Sequence, residues 1–136
     1  MLFRSNKAFY TAPIKALSNQ KYADLVRRHG VDRVGLLTGD NAIDGDAPVV
    51  VMTTEVLRNM IYAGAPALRG LRYVVLDEVH FLQDAYRGPV WEEVMIHLPH
   101  DVALVCLSAT VSNAEELAEW ITTVRGPTEE IGRAHV

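Results

Sequence analysis

Short runs of Val, Ile and Leu, almost unbroken by polar residues, restrict the fold of this chain more than any other feature. They occupy Ala8–Thr11, Val34–Leu37, Pro48–Met52, Tyr73–Leu76 and Val102–Leu107. A strand with one wet face alternates apolar and polar residues. These runs do not, so each is expected to be a strand covered on both faces. Between them lie stretches of helical periodicity. Ile14, Leu17, Tyr22 and Leu25 share one broad face of Ile14–Arg28, and Val56, Leu57, Met60 and Ile61 share one face of Glu55–Ala63. Gly88-Pro89 opens a further segment with Val90, Trp91, Val94, Met95 and Leu98 in phase; proline suits a first helical turn. Ser112-Asn113-Ala114-Glu115 reads as a capping box before Leu117, Ile121 and Val124. Strand–helix alternation without internal repeats predicts an α/β fold, a parallel sheet with helices on both faces.

The length, 136 residues, suits one domain, and a hydrophobic share of 49% supplies its core. The single cysteine, Cys106, sits inside an apolar run. A lone buried thiol implies no disulfide framework and a reducing compartment. No apolar stretch approaches the length of a membrane span, and Met1–Lys7 lacks the apolar block of a signal peptide. A cytoplasmic protein without membrane association is therefore expected. The net charge of −4 means that any nucleic-acid surface must be local. The three aspartates of Gly39–Ala47 could suggest calcium, but EF-hand spacing fails at Ala42, so a plain loop is expected there.

The richest chemistry follows the run Tyr73–Leu76, in Asp77-Glu78-Val79-His80. Ligands of open α/β sheets bind at strand C-termini. A nucleoside triphosphate brings Mg²⁺, which takes one or two carboxylates plus waters and phosphates. Asp77 could hold that metal through its waters, while Glu78 orients and deprotonates an attacking water. Read alone, the pair equally suits a strand end that caps the next element. Four other strand ends also carry polar groups: Thr11-Ala12-Pro13-Ile14-Lys15-Ala16-Leu17-Ser18-Asn19-Gln20, Thr38-Gly39-Asp40, Met52-Thr53-Thr54-Glu55 and Ser108-Ala109-Thr110. In the first of these, hydroxyls, amides, a lysine and a helix N-terminus lie together, which suits backbone phosphates.

In this order the segments TAPIKALSNQ, TGD, MTTE, DEVH and SAT resemble motifs Ia, Ib, Ic, II and III of superfamily 2 helicases of the DExH type. The wording PIKALSNQKY, WEE and SATVSNAEELAEWI resembles the superkiller-like group, above all its actinobacterial branch. The resemblance spans nearly all of residues 7–125. It implies a RecA-like P-loop NTPase domain that uses ATP and Mg²⁺, moves on single-stranded nucleic acid, expected to be RNA, and works against a second RecA-like domain. It implies Asp77 as the Mg²⁺ support, Glu78 as the base and His80 as a coupling residue, with Ser108 and Thr110 linking hydrolysis to movement. Thr11, Pro13, Lys15, Asn19 and Gln20 would lie along a bound strand, with Gly39, Thr53 and Thr54 further on. Plainer readings stand beside these: a hydrogen-bonded core histidine for His80, and a solvated helix residue for Lys15. For Trp91 and Trp120 core packing is the better reading.

The family's Gly-Lys-Thr phosphate loop has no counterpart in this chain, so the domain is expected to lack its first strand and that loop. Residues 6–130 then form a partial motor domain. The tail Ile131–Val136 is what ATC GGA AGA GCA CAC GTC encodes, and Met1–Ser5 is what GTG CTC TTC CGA TCT encodes. Both match one sequencing-adapter oligonucleotide, so residues 1–5 and 131–136 are expected to be adapter-derived. Two other functions remain open on the sequence: a non-catalytic nucleic-acid-binding module, and a DNA repair helicase with the same motor.

Overall fold

The computed structural model describes residues 7–77, 88–107, 121–123 and 125–126, with 88–91 described by backbone alone. The capping-box segment around Ser112, the side chains of Trp91 and Trp120, and the ends 1–5 and 131–136 lie outside the described residues.

All of the apolar runs are strands. β1 (Lys7–Ala12), β2 (Val34–Leu37), β4 (Val49–Thr53), β5 (Leu71–Leu76) and β6 (Ala103–Cys106) are mutually parallel. With the short β3 (Ala42–Ile43) they form a sheet ordered β3-β2-β4-β1-β5-β6. The periodic stretches are helices: α1 (Lys15–His29), α2 (Thr54–Ala63) and α3 (Gly88–His97). α2 starts where the Thr53 hydroxyl accepts the Val56 N–H and stops at Gly64, whose φ of 63° favours glycine.

Alternation along the strands sorts the side chains onto two layers. Phe9, Val50, Met52, Val74 and Leu76 point to one face, where they bury fully with Leu57 of α2, Val94 and Met95 of α3, and Leu98 just past its end. On the other face Val34, Leu36 and Val51 are covered by Tyr22, Leu25 and Val26 of α1, with Tyr10 beside them. Ser18 of α1 is also fully buried, its hydroxyl donating to the Ile14 and Met52 carbonyls at 3.3 and 3.2 Å.

Two expectations need correction. Gly39–Ala47 is not a plain loop, because it contains β3, antiparallel to β2 with Leu36 opposite Ile43. Gly35 permits this approach: a Cβ there would lie 2.0 Å from the Asp44 carbonyl oxygen. The sheet is therefore mixed at that end. The run Val102–Leu107 does not have the cover on both faces that its composition predicts. β6 instead pairs with β5 at the sheet's end, and Tyr73, Val105 and Leu107 are 50%, 44% and 41% exposed. These three residues fall on the α1 side of the sheet, beyond the reach of α1.

Candidate functional site

Parallel strands share a direction, so β2, β4, β1, β5 and β6 all end on one edge of the sheet. β1 and β5 meet there. The Asp77 N–H donates to the Thr11 carbonyl at 2.9 Å, extending the ladder one residue past β5, and the Leu107 N–H does the same to Leu76 at 2.9 Å. Asp77 thus leaves the sheet at its C-terminal edge, held by its backbone. Tyr10 stands opposite Val75, which places it on the face of Asp77 one pair earlier, and its hydroxyl donates to Asp77 Oδ2. Tyr10 is a neighbour of the candidate site that sequence reading missed. Its only signal is the β1–β5 register, which no local pattern reveals.

The start of α1 approaches the loop after β2. The Lys15 ammonium pairs with the Asp40 carboxylate, and both side chains are mostly in water. The Thr38 hydroxyl shapes that loop by accepting the N–H groups of Asp40 and Asn41 at 3.3 and 3.1 Å. Asn19, Gln20 and Gly39 are exposed and Pro13 is half-buried. The threonines behave differently. Thr11 is fully buried because it lies two residues beyond Phe9 on the covered face, and its hydroxyl donates to the Val75 carbonyl at 3.0 Å. Thr53 and Thr54 are also buried, the first as the α2 cap. The exposed candidates for contact with a strand are thus Lys15, Asn19, Gln20 and Gly39. Glu78, His80, Ser108 and Thr110 lie outside the described residues.

The family model for the DEAD/DEAH box helicases matches residues 2–117. The chain belongs to that family. Among DEAD/DEAH box proteins it is 65% identical over 134 residues to "Probable helicase HelY" of Mycobacterium tuberculosis, covering 98% of this chain and 15% of that protein. It is 52% identical over 115 residues to human superkiller complex protein 2, covering 85% of this chain and 9% of that protein. The chain therefore spans a small part of the curated relatives it matches. Its fold is shared with S. cerevisiae Dbp5 bound to RNA and ADP BeF3, with a TM-score of 0.70 at 24% identity over 93% of this chain and 33% of that one. The sheet is thus RecA-like.

DEAD/DEAH box helicases imply ATP with Mg²⁺, and the described residues can be tested against that ion. No group of three His, Cys, Asp or Glu residues converges among them. A closed protein cage is absent there, but Mg²⁺ usually keeps several waters and takes one or two carboxylates plus phosphates. Asp77, a carboxylate at the strand-end edge, fits that mode. Burial pushes the Cys106 thiol up to about 12, which favours its protonated form.

Proposed function

We propose that this segment is the middle and end of the first motor domain of an ATP-driven helicase or translocase that moves on single-stranded nucleic acid, RNA in particular. The observation that carries the reading is the meeting of β1 and β5. The Asp77 carboxylate and the start of α1 emerge from adjacent parallel strands on one edge. A nucleotide site and a strand-binding helix are then neighbours joined by backbone hydrogen bonds. Lys15, Asn19, Gln20 and Gly39 would run along the bound backbone, whose phosphates the Lys15 ammonium can meet. Mg²⁺ would neutralise charge on the phosphates when bound, with Asp77 its support from this chain. Glu78 would orient and deprotonate the attacking water, with His80, Ser108 and Thr110 transmitting the outcome. Thr11, Thr53 and Thr54 would fix the edge from beneath rather than touch the strand.

The bare face at Tyr73, Val105 and Leu107 is read as the seat of the strand that leads into the phosphate loop and of the helix that follows it. Without that loop the triphosphate would lack the backbone cradle that positions it, and positioning supplies most of phosphoryl-transfer catalysis. The 136-residue chain alone should therefore hydrolyse no ATP above background. In the full-length helicase Glu78→Gln should leave nucleotide affinity nearly intact and abolish turnover. Competition between single-stranded RNA and DNA then tests the substrate. Robust hydrolysis by the short chain, or by the Glu78→Gln protein, would overturn the reading.

A further inference from the structure

We propose that Tyr10 is a positioning residue for the nucleotide site, holding the Asp77 carboxylate in the orientation that Mg²⁺ requires. The inference rests on the reading of Asp77 just given. A carboxylate at the end of a strand is fixed by its backbone but free to rotate about its side-chain bonds. Here the backbone is pinned by the Asp77 N–H to Thr11 contact, at 2.9 Å. The Tyr10 hydroxyl then pins the carboxylate by donating to Oδ2, and fixing one oxygen sets the direction of the other.

The donor is itself held. Tyr10 stands in β1 between β4 and β5, opposite Val51 and Val75. Its ring packs against the Val34, Leu36 and Val51 cluster, and the Lys21 ammonium of α1 lies over it, 5.2 Å from the ring centre. A cation over the ring face anchors the ring and leaves the hydroxyl pointing along the strand. A tyrosine that only filled the core could direct its hydroxyl to water beside the uncovered half of this face. Instead, the phenol reaches the Asp77 carboxylate at the end of β5.

Such a hydrogen bond to a charged acceptor acts on the metal-supporting state and has no reason to alter metal-free binding. The test is a fluorescent ATP analogue titrated onto the full-length helicase with and without Mg²⁺, for the native protein, Tyr10→Phe, Asp77→Asn and the double variant. Phenylalanine keeps the ring under Lys21 and removes only the hydroxyl. Tyr10→Phe is expected to lose roughly 10-fold of the strengthening that Mg²⁺ gives, with metal-free affinity unchanged. In the Asp77→Asn background the same substitution should change nothing further. An undiminished Mg²⁺ effect in Tyr10→Phe, or an equal loss with and without Mg²⁺, would overturn the positioning role while leaving the site reading intact. A native protein whose nucleotide affinity ignores Mg²⁺, or an Asp77→Asn protein that keeps the full effect, would overturn both. If Tyr10→Phe shifts the thermal midpoint, Lys21→Met separates the causes. It loosens the ring without touching the hydroxyl and should cost less of the Mg²⁺ effect than Tyr10→Phe; an equal or greater cost would overturn the role.

Discussion

Val105→Lys should have opposite consequences in the short chain and in the longer protein to which we assign it. Val105 lies on β6 opposite Val75 and is 44% exposed, between Tyr73 at 50% and Leu107 at 41%. Full burial of such side chains is worth about 1.5–3 kcal/mol each, so leaving nearly half of each in water forfeits about 3 kcal/mol in all. That is a large part of the roughly 5–15 kcal/mol that keeps a domain folded. The chain alone is accordingly expected to be poorly folded or to aggregate, with no strand beyond β6 among the described residues and no charge on β6 to discourage pairing. A lysine at 105 would blunt that edge and lay its stem along the exposed face. Its cost in the short chain should stay below about 1 kcal/mol, and the soluble monomer fraction should rise. In the longer protein the same ammonium would be driven under a helix, at a cost of several kcal/mol. Size-exclusion chromatography and a urea melt of the short chain give the first half, and soluble yield and thermal midpoint of the long protein give the second. A Val105→Lys short chain that aggregates more, or a long protein that tolerates the change, would refute the idea that this face is a seat for missing structure. A cooperative melt of the unmodified short chain, with ordered near-UV aromatic signals, would show that the remaining sheet suffices.

Arg125→Ala should destabilise the fold by about 2–4 kcal/mol, read by a urea melt of the folded motor domain. Its guanidinium donates to the carbonyls of Met95 (3.2 Å), Leu98 (2.5 Å), Pro99 (2.9 Å) and Val102 (2.9 Å), closing the end of α3, and Arg125→Lys should recover less than half because an ammonium cannot fork. Gly35→Ala should expel β3, since the added Cβ meets the Asp44 carbonyl oxygen at 2.0 Å; amide exchange at Ile43 and Leu37 should accelerate while β1 and β5 stay protected. Asp40→Asn should free Lys15 for phosphate and tighten binding of single-stranded RNA about 2–5-fold at low salt, the gain fading at high salt. Fluorescence anisotropy checks this last expectation, and equal affinity at every salt concentration would contradict it.

How much of the molecule is legible in its sequence depends on how far each signal reaches. Apolar runs and helical periodicity are local, so all five predicted strands and the helices at 15, 54 and 88 occur where expected, with ends shifted by one or two residues. β3 carries no such signal. It is two residues long, Ala42 and Ile43 are both exposed, and what admits it is the missing side chain of Gly35 on another strand. The inward turn of Thr11 was readable, since it shares the parity of Phe9, but hydroxyls after a strand attract a functional reading first. Tyr10 was not readable. An aromatic residue inside a strand looks like core, and only the alignment of Tyr10 with Val75 reveals that Asp77 is its next neighbour on that face. Arg125 likewise lies far along the chain from the carbonyls it closes. The bare strip at β5–β6 illustrates a different limit: an apolar run says that cover is needed, never whether the same chain supplies it.

β1 is the shared element of the whole edge, and this decides how its two halves would communicate. Its Tyr10 reaches the Asp77 carboxylate, its Thr11 carbonyl accepts the Asp77 N–H, and the residues after it turn into α1, which carries Lys15, Asn19 and Gln20. The surface link of Lys15 with Asp40 is an exposed ion pair, worth about 0–1 kcal/mol and screened by salt. A displacement of α1 by a bound strand would break that pair at little cost and leave Asp77 unmoved. The same displacement carried through β1 must act on a strand hydrogen-bonded on both sides, between β4 and β5, and on the phenol that holds the carboxylate. Coupling on the proposed reading therefore runs through the backbone of β1 and the hydroxyl of Tyr10. The charges at the surface set how tightly a strand is held, and the interior strand sets what the nucleotide site feels of it.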